Sequence, residues 1–432
     1  MTARPRIHWV SPLPPAQTDI AEYTRRILPD LAARADIVLW TSAENWDPAL
    51  ERHAIVRRFD PHRTVPMDLR GLAPIGSGAE TVFLNMGNSW EFHSDILTLA
   101  RRVPGVVVLH DVALQEALRD MVLNGLLARD VYLGAAQRWY GAAGTRLGRR
   151  LLSGVPPAPE DLEQIPMFEA VLPAATAVLA HTPLGAERTA ARRMLPVYAL
   201  DLPYAIGPAK SAARATTGPL RLVQFGHIGP NRRLLQVIDA LGHAARTVDF
   251  RFDLFGRIWD PDCVRAAARK AGIADRIMLR GFAPEGDLNA AIADAHLVFN
   301  LRHPTMGEAS GSQLRIWNAS ALAAVTDLGW YASLPDDTVV KIPLDDERGA
   351  IVRLLERLDT DRAMCARVGA NGRQHLESTH GTDRYAEGIV AITREALIDS
   401  RARLMADALD RLVSRSANPR QLRAAAERLA PE

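Results

Sequence analysis

The segment Asn300-Leu-Arg-His-Pro-Thr-Met-Gly-Glu-Ala-Ser-Gly-Ser312 carries one carboxylate, Glu308, followed by a turn of small residues, Ala309, Ser310, Gly311 and Ser312. An apolar run, Ala295-His-Leu-Val-Phe299, precedes it and a helical pattern from Gln313 to Leu322 follows, so the spacing predicts strand, turn and helix. Such a turn leaves several backbone N–H groups free at a helix start, where the dipole adds roughly half a positive charge. The chemistry on offer is anion binding, typically of phosphate. The same residues also fit an ordinary turn with Ser as N-cap.

Phe225-Gly-His-Ile-Gly-Pro-Asn-Arg-Arg233 is the second such stretch. Gly226 lets backbone approach a ligand, His227 follows it, and Arg232 with Arg233 opens a helix where two guanidiniums can clamp a diphosphate. The spacing Gly226-x-x-Gly229 has no third glycine, so it is not a dinucleotide fingerprint. Asp260-Pro-Asp262 and Asp359-Thr-Asp361 resemble metal motifs, but both stand at helix starts and read as caps.

The elements that position these residues alternate between short apolar strands and amphipathic helices. Strands are expected at 6–10, 36–40, 81–85, 106–109 and 176–180, and again at 220–225, 250–255, 277–280, 295–299 and 322–326. Helices fill the intervals, including 231–246, 260–271, 285–293 and 312–321, which makes two doubly wound units of mostly parallel strands. The small, Gly/Pro-bearing stretch 205–219 reads as the linker between them. The expected division is 1–205, 206–380 and a helical end, 381–432, returning to the first unit, with its Arg-rich close as an exposed tail. Ligands of open α/β sheets sit at the carboxyl ends of strands. The residues leaving those ends are Gln17 to Asp19, Gly87-Asn88-Ser89, His110-Asp111, Gly226-His227, Gly256-Arg257, Gly281-Phe282 and Glu308 to Ser312. Two units facing each other would gather them around one cleft.

Composition narrows the partners. The chain has 432 residues, 48% hydrophobic and 24% charged, with net charge +2, which is ordinary for a globular protein and gives no general drive toward nucleic acid. Its two cysteines, Cys263 and Cys365, form no motif, so neither a disulfide framework nor a zinc site is expected and a reducing cytoplasm fits. No apolar run reaches membrane-spanning length, and the N-terminus does not read as a signal peptide. The basic cluster Arg138, Arg146, Arg149 and Arg150 reads as a solvated helix face, or as a patch resting on anionic lipid or a charged glycan at the inner face of the membrane.

The second unit resembles that of family 4 glycosyltransferases, and the resemblance extends over about residues 6 to 395. It implies the GT-B fold, with the nucleotide-sugar held by the C-terminal lobe and the acceptor by the N-terminal one. Family members carry Gly-Arg-x-x-x-x-Lys after the first strand of that lobe; here Gly226, His227 and Arg232 stand in those places. The family's Glu, seven residues, Glu hallmark is met by Glu308 and broken by Ile316, so the usual ribose contact is missing. Glu308 would touch the transferred sugar, the amides of Ser310, Gly311 and Ser312 the phosphates, and His110 the sugar from the other lobe. Arg257 and Phe282 would complete the donor site. The resemblance further implies retention of configuration and no metal or other cofactor. Expected partners are a nucleotide-sugar donor and a glycan or lipid-linked acceptor. A nucleotide-sugar-binding scaffold without turnover is the alternative; a nicotinamide oxidoreductase is disfavoured by the absent glycine fingerprint. On this reading Glu308→Ala cuts transfer by orders of magnitude and leaves the fold intact.

Overall fold

The computed structural model describes residues 4–63, 80–192, 194–208 and 214–395. The expected Arg-rich tail lies outside the described residues.

Among the described residues, thirteen strands form two parallel sheets. In the first, β1 (Arg6–Val10), β2 (Asp36–Thr41), β3 (Ile55–Arg58), β4 (Glu80–Met86), β5 (Gly105–Leu109), β6 (Ala175–Ala180) and β7 (Val197–Ala199) lie in the order β3-β2-β1-β4-β5-β6-β7. In the second, β8 (Leu220–Phe225), β9 (Phe250–Phe255), β10 (Ile277–Gly281), β11 (Leu297–Asn300), β12 (Ala323–Thr326) and β13 (Val340–Ile342) lie in the order β10-β9-β8-β11-β12-β13. Order reverses between β1 and β4 and again between β8 and β11, so each sheet has one crevice at its carboxyl edge.

Local chemistry accounts for the central strands. Val106, Val107 and Val108 are sealed on both faces, which is why β5 is a continuous β-branched run rather than an alternating one. The Asp19–Arg34 helix starts where the Thr18 hydroxyl accepts the Ile20 N–H, and it buries Ile20, Tyr23, Ile27 and Leu31 on one face. Each fully buried side chain of that size contributes roughly 1.5–3 kcal/mol. Three edge strands, β3, β7 and β13, escape the sequence pattern because they are short and only partly covered.

The two lobes are tied by more than the linker. The 382–395 helix sends Tyr385, Ala386, Ile389 and Ile392 into the first-lobe core beside Ile7, Trp9 and Ile27. Linker Gly207 is held from both sides, its N–H on Asn318 Oδ1 at 3.1 Å and its carbonyl accepting from Arg373 at 2.7 Å. Among the described residues no helix is long and apolar enough to cross a membrane. Asp260 accepts the Cys263 N–H at 2.9 Å and Asp361 the Met364 N–H at 3.2 Å, so both Asp-x-Asp sequences do cap helices.

Candidate active site

The second lobe supplies one side. β8 runs out into Gly226, with φ +101°, and β9 into Gly256, with φ +104°. A Cβ on Gly256 would lie 2.2 Å from the Gly226 carbonyl, so the two turns stack at a distance only glycine permits. The chain then makes a short 3₁₀ turn, Pro230–Arg232, that drives Arg232 inward until 5% of it is exposed. The Arg232 backbone carbonyl accepts from Gln224 Nε2 at 2.8 Å, while one guanidinium nitrogen reaches the Phe225 carbonyl at 3.3 Å. Its Nε has no partner, and no described carboxylate comes within ion-pair distance. Burial, with Arg302 close by, lowers the guanidinium to about 10.

Arg233 corrects the expectation of a paired clamp. Its backbone is left-handed (φ +58°), which turns the side chain onto Glu347, with Nε 3.1 Å from Oε1 and Nη2 on Oε2 at 2.5 Å. The guanidinium of Arg233 is thus committed to a protein carboxylate, and Arg232 alone is unpaired.

Beyond β11 the segment 302–308 folds around its carboxylate. Glu308, 10% exposed, pairs with Arg302 and accepts from the Thr305 hydroxyl at 2.9 Å and the Met306 N–H at 2.6 Å. Burial works to raise this carboxyl, but Arg302 and those donors hold it below the usual range. Ser310 caps the Gly311–Asn318 helix, its Oγ accepting from the Gln313 N–H at 3.1 Å and from Asn300 Nδ2 at 3.3 Å. Gly311 and Ser312 are half-buried in the first turn. Ile316 is fully enclosed in the core behind them, beside Trp317, so an apolar side chain is what that position requires.

The first lobe supplies the other side. Asn85 at the end of β4 donates to the Val10 carbonyl at 3.0 Å and lies 3.0 Å from His110 Nε2 through its Oδ1. Asp111 accepts the Asn88 N–H at 2.7 Å, and Asn88 is itself fixed by the Ala117 N–H at 3.0 Å. Burial lowers the His110 imidazole well below its usual range, and His181 and His93 add to this. Burial likewise raises the Asp111 carboxyl to about 7, with Glu308 across the junction pushing the same way.

The lobes meet here directly. The Met306 carbonyl accepts from Val112 N–H at 2.9 Å and Ala113 N–H at 3.0 Å, and the Thr182 hydroxyl donates to the Gly307 carbonyl at 3.1 Å. Glu308 and Ser310 on one side and His110 with Asp111 on the other therefore flank one junction, and Arg232, beside Gly226, lies near enough to Arg302 and Glu308 to feel both charges. His227, Arg257 and Phe282 lie along the carboxyl edge of β8, β9 and β10, all exposed, Phe282 to 91%. Among the expected first-lobe residues, Gln17 and Asp19 are exposed at the start of their helix.

Three residues at the junction had no role assigned from sequence: Arg302, Asp111 and Tyr331. Arg302 lies inside the 300–312 stretch and Asp111 among the strand-end residues, and that position was the available signal. Tyr331 follows β12 in a short 3₁₀ turn, Gly329–Ser333, where no pattern marks it; its hydroxyl is buried without a partner.

No family model matches the sequence, and no curated protein matches it. Solved structures do match in shape. Sucrose-phosphate synthase from Thermosynechococcus elongatus superposes with TM-score 0.61 over 91% of this chain and 100% of its own, at 14% identity. A glycosyltransferase from Rickettsia africae ESF-5 gives 0.58 over 91% and 99%, at 8% identity. HepE from Anabaena, solved in complex with UDP, gives 0.56 over 90% and 100%, at 12% identity. Likeness at such identity is likeness of fold, and it joins with the two reversed parallel sheets to one conclusion: this chain has the GT-B fold.

Proposed function

We propose that the protein is a glycosyltransferase that moves a sugar from a nucleotide-diphosphate sugar to a carbohydrate or lipid-linked acceptor, with retention and without metal. Arg232 carries this reading. A guanidinium buried to this depth with no carboxylate in ion-pair contact is costly unless an anion completes it. It lies in the same lobe as the Ser310-capped helix, whose N–H groups favour the same kind of charge. Negative charge develops on the leaving diphosphate during transfer, and preorganised donors there are among the largest catalytic contributions. Glu308 would receive a hydroxyl of the transferred sugar, and His110 would orient sugar from the opposite lobe. The exposed edge His227, Arg257 and Phe282 suits the nucleoside, with the base against the Phe282 ring. HepE was solved with UDP, which supports a uridine donor in particular. Residues 1–205 would then serve the acceptor, 206–380 the donor, and 381 onward would brace the first lobe.

A lipid-linked acceptor would place the enzyme at the inner face of the membrane. Leu123, Leu126, Val131, Arg129, Arg146 and Arg149 are all exposed, and such a mix of apolar and basic side chains would support a contact of that kind.

Thermal shift with UDP, GDP, ADP and dTDP tests the donor site, because a ligand bound only by the native state raises the melting temperature. At least one nucleotide should stabilise the wild type, and Arg232→Met should abolish the shift while leaving the free protein as stable or more so. Indifference of the wild type to all four would sink the proposal. Nucleotide release measured with an acceptor panel separates a transferase from a scaffold that binds without turnover.

A further inference from the structure

We infer that Asn85 fixes the tautomer of His110, so that this imidazole meets its ligand as a hydrogen-bond acceptor through Nδ1. The inference rests on the reading above only for the ligand's chemistry, a sugar hydroxyl. Asn85 is fully buried at the end of β4, and its Nδ2 donates to the Val10 carbonyl at 3.0 Å. That contact leaves Oδ1 for His110, whose Nε2 lies 3.0 Å away. A carbonyl oxygen can only accept, so Nε2 carries the hydrogen and the lone pair of the neutral ring is on Nδ1.

Three further observations give this consequence. First, the protein offers Nδ1 of His110 no partner, yet does not seal it as it seals Nδ1 of His93 and Nε2 of His181. Second, the neighbouring His181 is held in the opposite tautomer, because its Nδ1 lies 3.0 Å from the Leu200 carbonyl. Third, the groups packed on the His110 ring keep it neutral. Tyr23 meets it edge-on with centroids 4.7 Å apart, the His181 ring is at 4.8 Å, and burial with His181 and His93 disfavours a second proton. A neutral ring with Nδ1 bare accepts from an alcohol O–H and gives nothing to a phosphate from that atom. The junction thereby divides its labour, with anion on the Arg232 side and hydroxyl on the His110 side. Asn85 is the positioning residue that makes the division.

The tautomer is read directly from long-range ¹H–¹⁵N correlations of ¹⁵N-histidine-labelled full-length protein at pH 7, with His110 assigned by its loss in His110→Gln. A protonated Nε2 and bare Nδ1 on His110, opposite to His181, is the expected result. A hydrogen on His110 Nδ1, or an imidazolium, overturns the inference. Asn85→Leu removes the acceptor that holds the hydrogen on Nε2 without adding charge, so both His110 tautomers should appear in the spectrum and transfer at pH 7 should fall about tenfold or more. Wild-type activity at pH 7 in that variant would overturn the positioning role. The spectrum involves no turnover, so an error in the substrate leaves it standing, and a wrong tautomer leaves the Arg232 nucleotide test untouched.

Discussion

The backbone carbonyl of Met306, in the second lobe, accepts the N–H of Val112, in the first, at 2.9 Å. Met306 also gives its own N–H to Glu308 at 2.6 Å. One residue thus links the carboxylate of one lobe to the strand end that carries His110 and Asp111 in the other. The mutual placement of the site's halves depends on this short, hydrogen-bonded join and not only on the linker.

Gly307 lies inside that join with φ +79°, and a Cβ there would come 3.0 Å from Val112 Cβ. Gly307→Ala should cost about 1–3 kcal/mol from backbone strain alone. It should also weaken nucleotide binding by wedging the lobes. Urea unfolding and a nucleotide titration check the two effects, and a variant unchanged in both would show that the join does not set the site.

Glu308 holds Arg302, so its removal leaves a buried cation unpaired. Glu308→Ala therefore should destabilise by about 3–5 kcal/mol, against the sequence-based expectation of an intact fold. Glu308→Gln keeps an acceptor for Thr305 and Met306 and is the cleaner probe. Transfer by the Gln variant should drop by about 100-fold or more with the fold preserved by circular dichroism. Near-normal turnover would remove Glu308 from the site.

Asp111 links stability to pH. Its folded-state value of about 7 lies above the ordinary carboxyl value, so the native protein keeps a proton that the unfolded chain releases near pH 4. The stabilisation is complete below that ordinary value, shrinks as the pH rises, and is gone above about 7. Asp111→Asn mimics the protonated form. Unfolding free energy of the variant should stay level where the wild type declines, leaving it about 1–2 kcal/mol more stable at about pH 8 after allowance for partial exposure. Parallel curves for the two proteins between about pH 5 and pH 8 would contradict the assignment.

Gly372 faces the helix whose N-terminus is the proposed anion end of the site: a Cβ there would lie 2.1 Å from Trp317 Cδ1. Gly372→Ala should destabilise by overpacking, about 1–3 kcal/mol, and shift Trp317 fluorescence. Because the Gly311–Asn318 helix must move to relieve the clash, nucleotide affinity should fall as well; affinity retained despite lost stability would uncouple the helix from binding.

Arg232 and Arg233 show where sequence stops. The stretch Phe225 to Arg233 reads as a glycine turn with two cations, and the turn is there. Which cation enters the site is decided by one left-handed residue and by Glu347, 114 positions further on, with an Nε–Oε1 distance of 3.1 Å. Glu308 and Ser310 are legible because strand, turn and helix are local properties. The Glu308–Arg302 pairing and the Asp111–Glu308 coupling are products of packing between segments, and periodicity carries no trace of them.

Alternation of strand and helix and the order of turn chemistry at strand ends were determined by the sequence alone, since each depends on the preferences of residues close together in the chain. The tertiary structure decided which arginine stays unpaired, which tautomer His110 holds and how the lobes are clasped. Those outcomes depend on burial and on partners distant along the chain, where desolvation turns an ordinary side chain into one that is either satisfied by the protein or left for a ligand.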